Sequence, residues 1–138
     1  VYTRKRERLW EIGRPRYFEI AIIPMDRMIR YVDGWYALET AGEVTWRWMK
    51  RQSLTRLPAG RGDLDLHVYL PRATTFTVTW NGKVVESVER PEGEVELRYH
   101  LASRSGAANE LRLEVASPAN APGDPRELGA MLKSIAWK

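Results

Sequence analysis

Along most of the chain apolar and polar residues alternate with a period of two, the period of an extended strand with one buried face. The cleanest stretch runs from Asp63 to Leu70, with Leu64, Leu66, Val68 and Leu70 on one side and Asp65, His67 and Tyr69 on the other. Thr74 to Trp80 repeats the design, setting Phe76, Val78 and Trp80 against Thr75, Thr77 and Thr79. Asn81-Gly82 follows, the kind of dipeptide that tolerates the two positive φ angles of a type I′ turn, so a hairpin into Lys83 to Glu89 is expected. Glu94 to Leu101 points Val95, Leu97, Tyr99 and Leu101 inward, and Glu110 to Val115 does the same with Leu111, Leu113 and Val115. Shorter runs at Tyr17 to Ile23 (stopped by Pro24), Met28 to Val32, Trp35 to Glu39, Glu43 to Met49 and Gln52 to Leu57 read as further strands. Turns are expected at Asp33-Gly34, Ala41-Gly42 and Pro58-Ala59-Gly60, and a last strand from about Leu128 to Trp137. Nine or ten strands without an interior helix predict an all-β antiparallel β-sandwich of the jelly-roll kind.

A chain of 138 residues fits one compact domain, and 43% hydrophobic content supplies its core. The net charge of +4 changes the picture only at one end. Residues 1–16 hold Arg4, Lys5, Arg6, Arg8, Arg14 and Arg16 against Glu7 and Glu11, so the remainder is neutral. The expected division is therefore a basic N-terminal arm or linker over 1–16 and a single β-sandwich domain over 17–138. A neutral body without a basic stripe argues against nucleic acid as a partner. No stretch approaches eighteen uninterrupted apolar residues, so no membrane span is expected. Without cysteine there is no disulfide, thiolate nucleophile or cysteine-based zinc site.

Groups able to do chemistry are sparse. His67 and His100 are the only histidines, each on the wet side of a strand and without a second His or a Glu at ligand spacing. No phosphate-binding glycine loop, nucleophile elbow or calcium loop is present, so no catalytic residue, metal or cofactor is expected and the chain does not read as an enzyme. Arg61-Gly62-Asp63 matches a tripeptide read by adhesion receptors, but Gly62 is more simply a turn into the Leu64 strand. More informative are Trp35, Tyr36, Trp46 and Trp48, with Arg47 between the last two. Aromatic faces stack on sugar C–H faces while a guanidinium hydrogen-bonds hydroxyls, which makes Trp35, Tyr36 and Arg47 candidate ligand-binding residues. Period two gives Trp46 and Trp48 one face with Val44, a face that the simpler reading assigns to the core.

Gly34-Trp35-Tyr36-Ala37-Leu38-Glu39, Trp46-Arg47-Trp48, Asn81-Gly82 and Asp124-Pro125-Arg126-Glu127-Leu128-Gly129, in this order, resemble a group of all-β accessory domains of bacterial glycan-metabolism proteins, often attached to glycosyltransferases. The resemblance covers about residues 30–138 and omits the basic front. It implies a galactose-binding-like or jelly-roll sandwich that accompanies a catalytic domain without doing its chemistry. A glycan and an adjacent catalytic domain are then the expected partners, and weak carbohydrate binding the expected function. The alternative is a structural or protein-interaction domain with no ligand of its own. The matching residues also imply a structural polar cluster of Glu39, Arg47, Asp124 and Arg126, since an Arg fork needs carboxylate partners.

Overall fold

The computed structural model describes residues 3–11, 14–22 and 28–138, the first two segments through their backbone pairing. Strand β1 (Thr3–Glu11) and strand β2 (Arg14–Ile22) pair antiparallel, from Thr3 opposite Ile22 to Glu11 opposite Arg14. The stop expected at Pro24 lies outside the described residues.

The remaining strands are β3 (Arg30–Trp35), β4 (Glu39–Ala41), β5 (Val44–Leu57), β6 (Asp63–Leu70), β7 (Thr74–Trp80), β8 (Lys83–Arg90), β9 (Gly93–His100), β10 (Asn109–Val115) and β11 (Met131–Trp137). They form one curled, antiparallel sheet of 9 strands, ordered β8-β7-β10-β5-β11-β6-β9, with β3 and β4 also on β5. The described residues contain no helix, and so none long and apolar enough to cross a membrane.

β5 is the spine. Gln52 to Leu57 pair with β10, whereas Arg47 and Trp48 pair with β11. The sheet thus divides into two wings, β10-β7-β8 and β11-β6-β9, which curl over a shared core. That core takes the apolar phase of each alternating strand: Leu64, Leu66, Val68 and Leu70 from β6, Phe76, Val78 and Trp80 from β7, Val95 and Leu97 from β9, and Leu111, Leu113 and Val115 from β10. The Asn81-Gly82 turn has φ of 48° and 84°, as a type I′ hairpin needs.

Several expected boundaries differ. The strands expected at Glu43 to Met49 and Gln52 to Leu57 are a single strand of 14 residues. The polar Lys50-Arg51-Gln52 stretch that suggests a break is where β5 exchanges β11 for β10, leaving those side chains exposed. Asp33-Gly34 is not a turn but a register shift within β3, where Gly34 takes φ of 74°. A Cβ there would sit 1.8 Å from the Gln52 carbonyl oxygen, so this close approach requires glycine. The run expected from Trp35 to Glu39 contains the end of β3 and the start of β4, and the last strand begins at Met131. Arg61-Gly62-Asp63 is not a free loop tip: the Arg61 and Gly62 N–H groups donate to the Lys138 carbonyl at 2.7 and 2.9 Å, and Gly62 is buried.

Candidate functional site

The aromatic residues that lie close in sequence separate in space into two sets. The first gathers beside the spine at β3 and β4. Trp35 packs against the core, its Nε1 donates to Thr55 Oγ1 at 3.0 Å, and Tyr31 meets its ring edge-on at 5.4 Å. Burial raises the Tyr31 phenol above its ordinary value, partly opposed by the Arg47 guanidinium, which lies 4.2 Å from the centre of its ring. Arg47 Nη1 donates to the Tyr36 carbonyl at 2.9 Å. Tyr36 in turn donates its hydroxyl to the Glu127 carbonyl at 3.0 Å, and the Arg126 guanidinium lies 5.2 Å from its ring centre. Trp35 and Tyr36 thus have polar atoms engaged by the chain itself, whereas Arg47 is engaged through Nη1 and keeps a buried Nε without a hydrogen-bond partner among the described residues.

Arg126 closes this end of the molecule. Its Nη1 donates to Glu39 Oε2 at 3.1 Å, while Nε and Nη2 hold the Asp124 carboxylate at 3.0 and 2.8 Å. These bonds hold the Asp124 carboxyl below its ordinary range and raise the guanidinium further above neutrality. Of the four residues expected as a polar cluster, Glu39, Asp124 and Arg126 meet directly, whereas Arg47 turns to the Tyr36 carbonyl. The Arg126 and Glu39 side chains are 30% and 35% exposed, so theirs is a partly solvated pair. The Arg51 N–H donates to Glu127 Oε1 at 3.0 Å, fastening the connection before β11 to the spine.

The second set lies on the opposite face of β5. Met49 is fully buried and Leu132 nearly so, which fixes the core side, and Trp46 and Trp48 alternate away from it. Both are partly buried and neither belongs to the core cluster, against the expectation that they would fill it. Trp46 is opposite Glu39 on β4. Trp48 is opposite Met131, Met131 opposite Tyr69, and Tyr69 opposite Glu94, so one row crosses β5, β11, β6 and β9 on the outer face.

Along the same wing the outer residues are polar. His67 Nε2 and Lys133 Nζ both bind the Glu94 carboxylate and hold it below its ordinary range. His100 Nδ1 meets Asp63 Oδ1 at 2.9 Å, and Arg98 faces Asp65 at 4.0 Å. Ser134 is opposite His67, so a hydroxyl, an imidazole and a carboxylate share this region, yet no hydrogen bond among the described residues joins Ser134 to His67. Shallow hollows of about 440 and 150 Å³ open over these side chains. No group of three His, Asp or Glu placed to hold a metal ion occurs among the described residues.

Two residues were not singled out by sequence reasoning. Tyr69 is the polar phase of an alternating strand, and only the register shows it aligned with Trp48. Asn109 is fully buried and ties three loops together: it accepts from Asn81 Nδ2 and the Arg104 N–H, and donates to the Pro58 carbonyl and Ser103 Oγ. Ser103 and Arg104 are near it in the chain, but Pro58 and Asn81 are distant, so no local pattern marks the junction.

No protein-family model matches the chain, and no curated protein does. Among solved structures it is similar to a family two carbohydrate esterase from Clostridium thermocellum in complex with cellohexaose, at 11% identity over 80% of this chain and 31% of that one, with a TM-score of 0.49. An active site mutant of a family two carbohydrate esterase from the same organism aligns at 10% identity over 81% of this chain and 31% of that one, with a TM-score of 0.50. The likeness to the mutant is one of fold alone, and this chain spans about a third of the length of either esterase chain.

Proposed function

We propose that this chain is a non-catalytic accessory module that binds carbohydrate weakly, its two wings forming a galactose-binding-like, jelly-roll sandwich beside a catalytic domain of a larger bacterial glycan-handling protein. The observation that carries the reading is the row of Trp48, Met131 and Tyr69 on the outer face, with Trp46 on the same face of β5. Aromatic rings outside the core can stack on sugar rings, and the neighbouring carboxylates and imidazoles can exchange hydrogen bonds with hydroxyls. The active site mutant of similar fold is a carbohydrate esterase, which is compatible with a glycan ligand here.

Of the initial candidates, Trp35 packs on the core, Tyr36 has Arg126 and Lys50 near its ring, and Arg47 is on the core side opposite Leu132, so the ligand-binding role passes to Trp46, Trp48 and Tyr69. The absence of catalysis is part of the same proposal. Its support is that His67 Nε2 is taken by Glu94 and that no hydrogen bond joins His67 to Ser134 among the described residues. A shallow platform gains little buried area per sugar, so a millimolar affinity, roughly −4 kcal/mol, is expected.

Titration of the isotope-labelled chain with gluco-, xylo- and galacto-oligosaccharides tests the reading. Resonances of Trp46, Trp48 and Tyr69 should shift and those of Trp35 should not. If no saccharide shifts any resonance while a neighbouring domain occupies the same face, the alternative of a structural domain without a ligand replaces this one. Reproducible turnover of an ester or glycoside that disappears in Ser134→Ala would overturn the non-catalytic assignment.

A further inference from the structure

We infer that the glycan taken by this face is an extended, uncharged chain lying across the strands, and that a single sugar or a polyanionic glycan is not its ligand; this rests on the carbohydrate-binding reading above. The first argument is spacing. Trp48 and Tyr69 occupy the same register row with β11 between them, so their backbones are two strand separations, about 10 Å, apart. One pyranose ring cannot reach both. In a β-1,4-linked hexose chain each ring is turned over relative to the last, so alternate rings present the same face. Their repeat is close to this separation, so Trp48 and Tyr69 can each take one ring while the ring between lies over Met131.

The second argument is charge. The row continues from Tyr69 to Glu94, the Tyr69 hydroxyl donates to Glu92 at 3.4 Å, and the surrounding outer face holds Asp65 and Glu96 as well. Against these four carboxylates stand Lys50, two residues on from Trp48 in β5, and Lys133 and Arg98, which face Glu94 and Asp65, respectively. A face with more carboxylates than ammonium or guanidinium groups repels sulfated or uronate chains and offers acceptor oxygens to neutral hydroxyls. The direction across the strands follows from the same row, because the aromatic positions are aligned perpendicular to β5 and β6.

The test is titration of the full chain with glucose, cellobiose, cellotriose, cellohexaose and a hexamer of galacturonic acid. Affinity should rise at least tenfold from cellobiose to cellohexaose, and the uronate should bind at least tenfold more weakly than cellohexaose. Trp48→Ala and Tyr69→Ala should each bring cellohexaose down to the cellobiose level, with circular dichroism confirming that the strands persist. Trp48→Phe and Tyr69→Phe, which keep a stacking face, should preserve the rise and serve where an alanine variant does not fold. Glucose binding as tightly as cellohexaose, still dependent on Trp48, would overturn the extended-chain inference and leave carbohydrate binding intact. Preference for the uronate would overturn the neutral-ligand part. Failure of every saccharide would remove the carbohydrate reading itself and this inference with it.

Discussion

Trp35 and Trp48 are thirteen positions apart, sit on neighbouring strands of one sheet, and are used in opposite ways. Trp35 packs on the core with its indole N–H bonded to a buried threonine, and Tyr36 beside it is tied to the connection before β11. Trp48 lies outside the core cluster, aligned with Tyr69 two strands away. The difference shows that an aromatic cluster in sequence is not an aromatic cluster in space: the pleat and the register shift in β3 send its members to different faces.

Four measurements would break or sharpen this contrast. The frame that both sets share should be the most sensitive. Leu66→Ala, which empties a fully enclosed site between the wings, should cost about 2–5 kcal/mol in denaturant unfolding. Both rings are partly buried, but Trp35 packs on the core and bonds Thr55, so Trp35→Ala should cost about 3 kcal/mol, whereas Trp48→Ala, outside the core cluster, should cost about 1 to 2 kcal/mol. Equal losses for the two would erase the distinction between them.

Arg126→Ala should destabilise by about 1 kcal/mol, the scale of a partly solvated ion pair, and far less than a buried pair would demand. Thermal melts in low and high salt would check it, since screening should shrink the wild-type advantage. The smallest effect is in acid. The Asp124 carboxyl is lowered in the folded state by Arg126, so its contribution is complete above the ordinary carboxylate range and is lost as pH falls through its own lower value. Asp124→Asn should therefore be less stable than the parent at neutral pH and converge on it under acid. A constant difference down to the acid limit would show that the carboxylate charge is not what stabilises this end.

Most of the frame was legible in the sequence, since β6, β7, β9 and β10 each keep a strict alternation with one face buried along most of its length. The Asn81-Gly82 hairpin was legible because its turn requires positive φ at both positions. Elements whose pairing changes part-way were not. β5 carries charged residues where it passes from one wing to the other, and that local polarity resembles a loop. The meeting of Glu39, Asp124 and Arg126 was expected from the family resemblance together with the need of an Arg fork for carboxylates, since residue chemistry by itself does not choose among the chain's many carboxylates. The row of Trp48, Met131 and Tyr69 could not be anticipated, because it depends on β11 lying between β5 and β6, and no period within a strand encodes which strand lies beside it.

That placement of β11 also bears on the order of assembly. The β6-β9 pair, itself separated in the chain by β7 and β8, is hydrogen-bonded to β5 only through β11, the last strand in chain order. Until Met131 to Trp137 are in place, this pair has no ladder linking it to the rest of the sheet, and the inward leucines of β6 lack part of their cover. A chain emerging during translation would therefore hold one wing formed and the other undocked, with the decisive contact, Trp137 opposite Leu64, spanning most of the sheet's sequence. Such long-range closure slows folding toward the millisecond-to-second scale of other β-rich domains. The segment that completes the aromatic row is thus also the one that ends the interval in which unpaired strand edges are exposed to other chains.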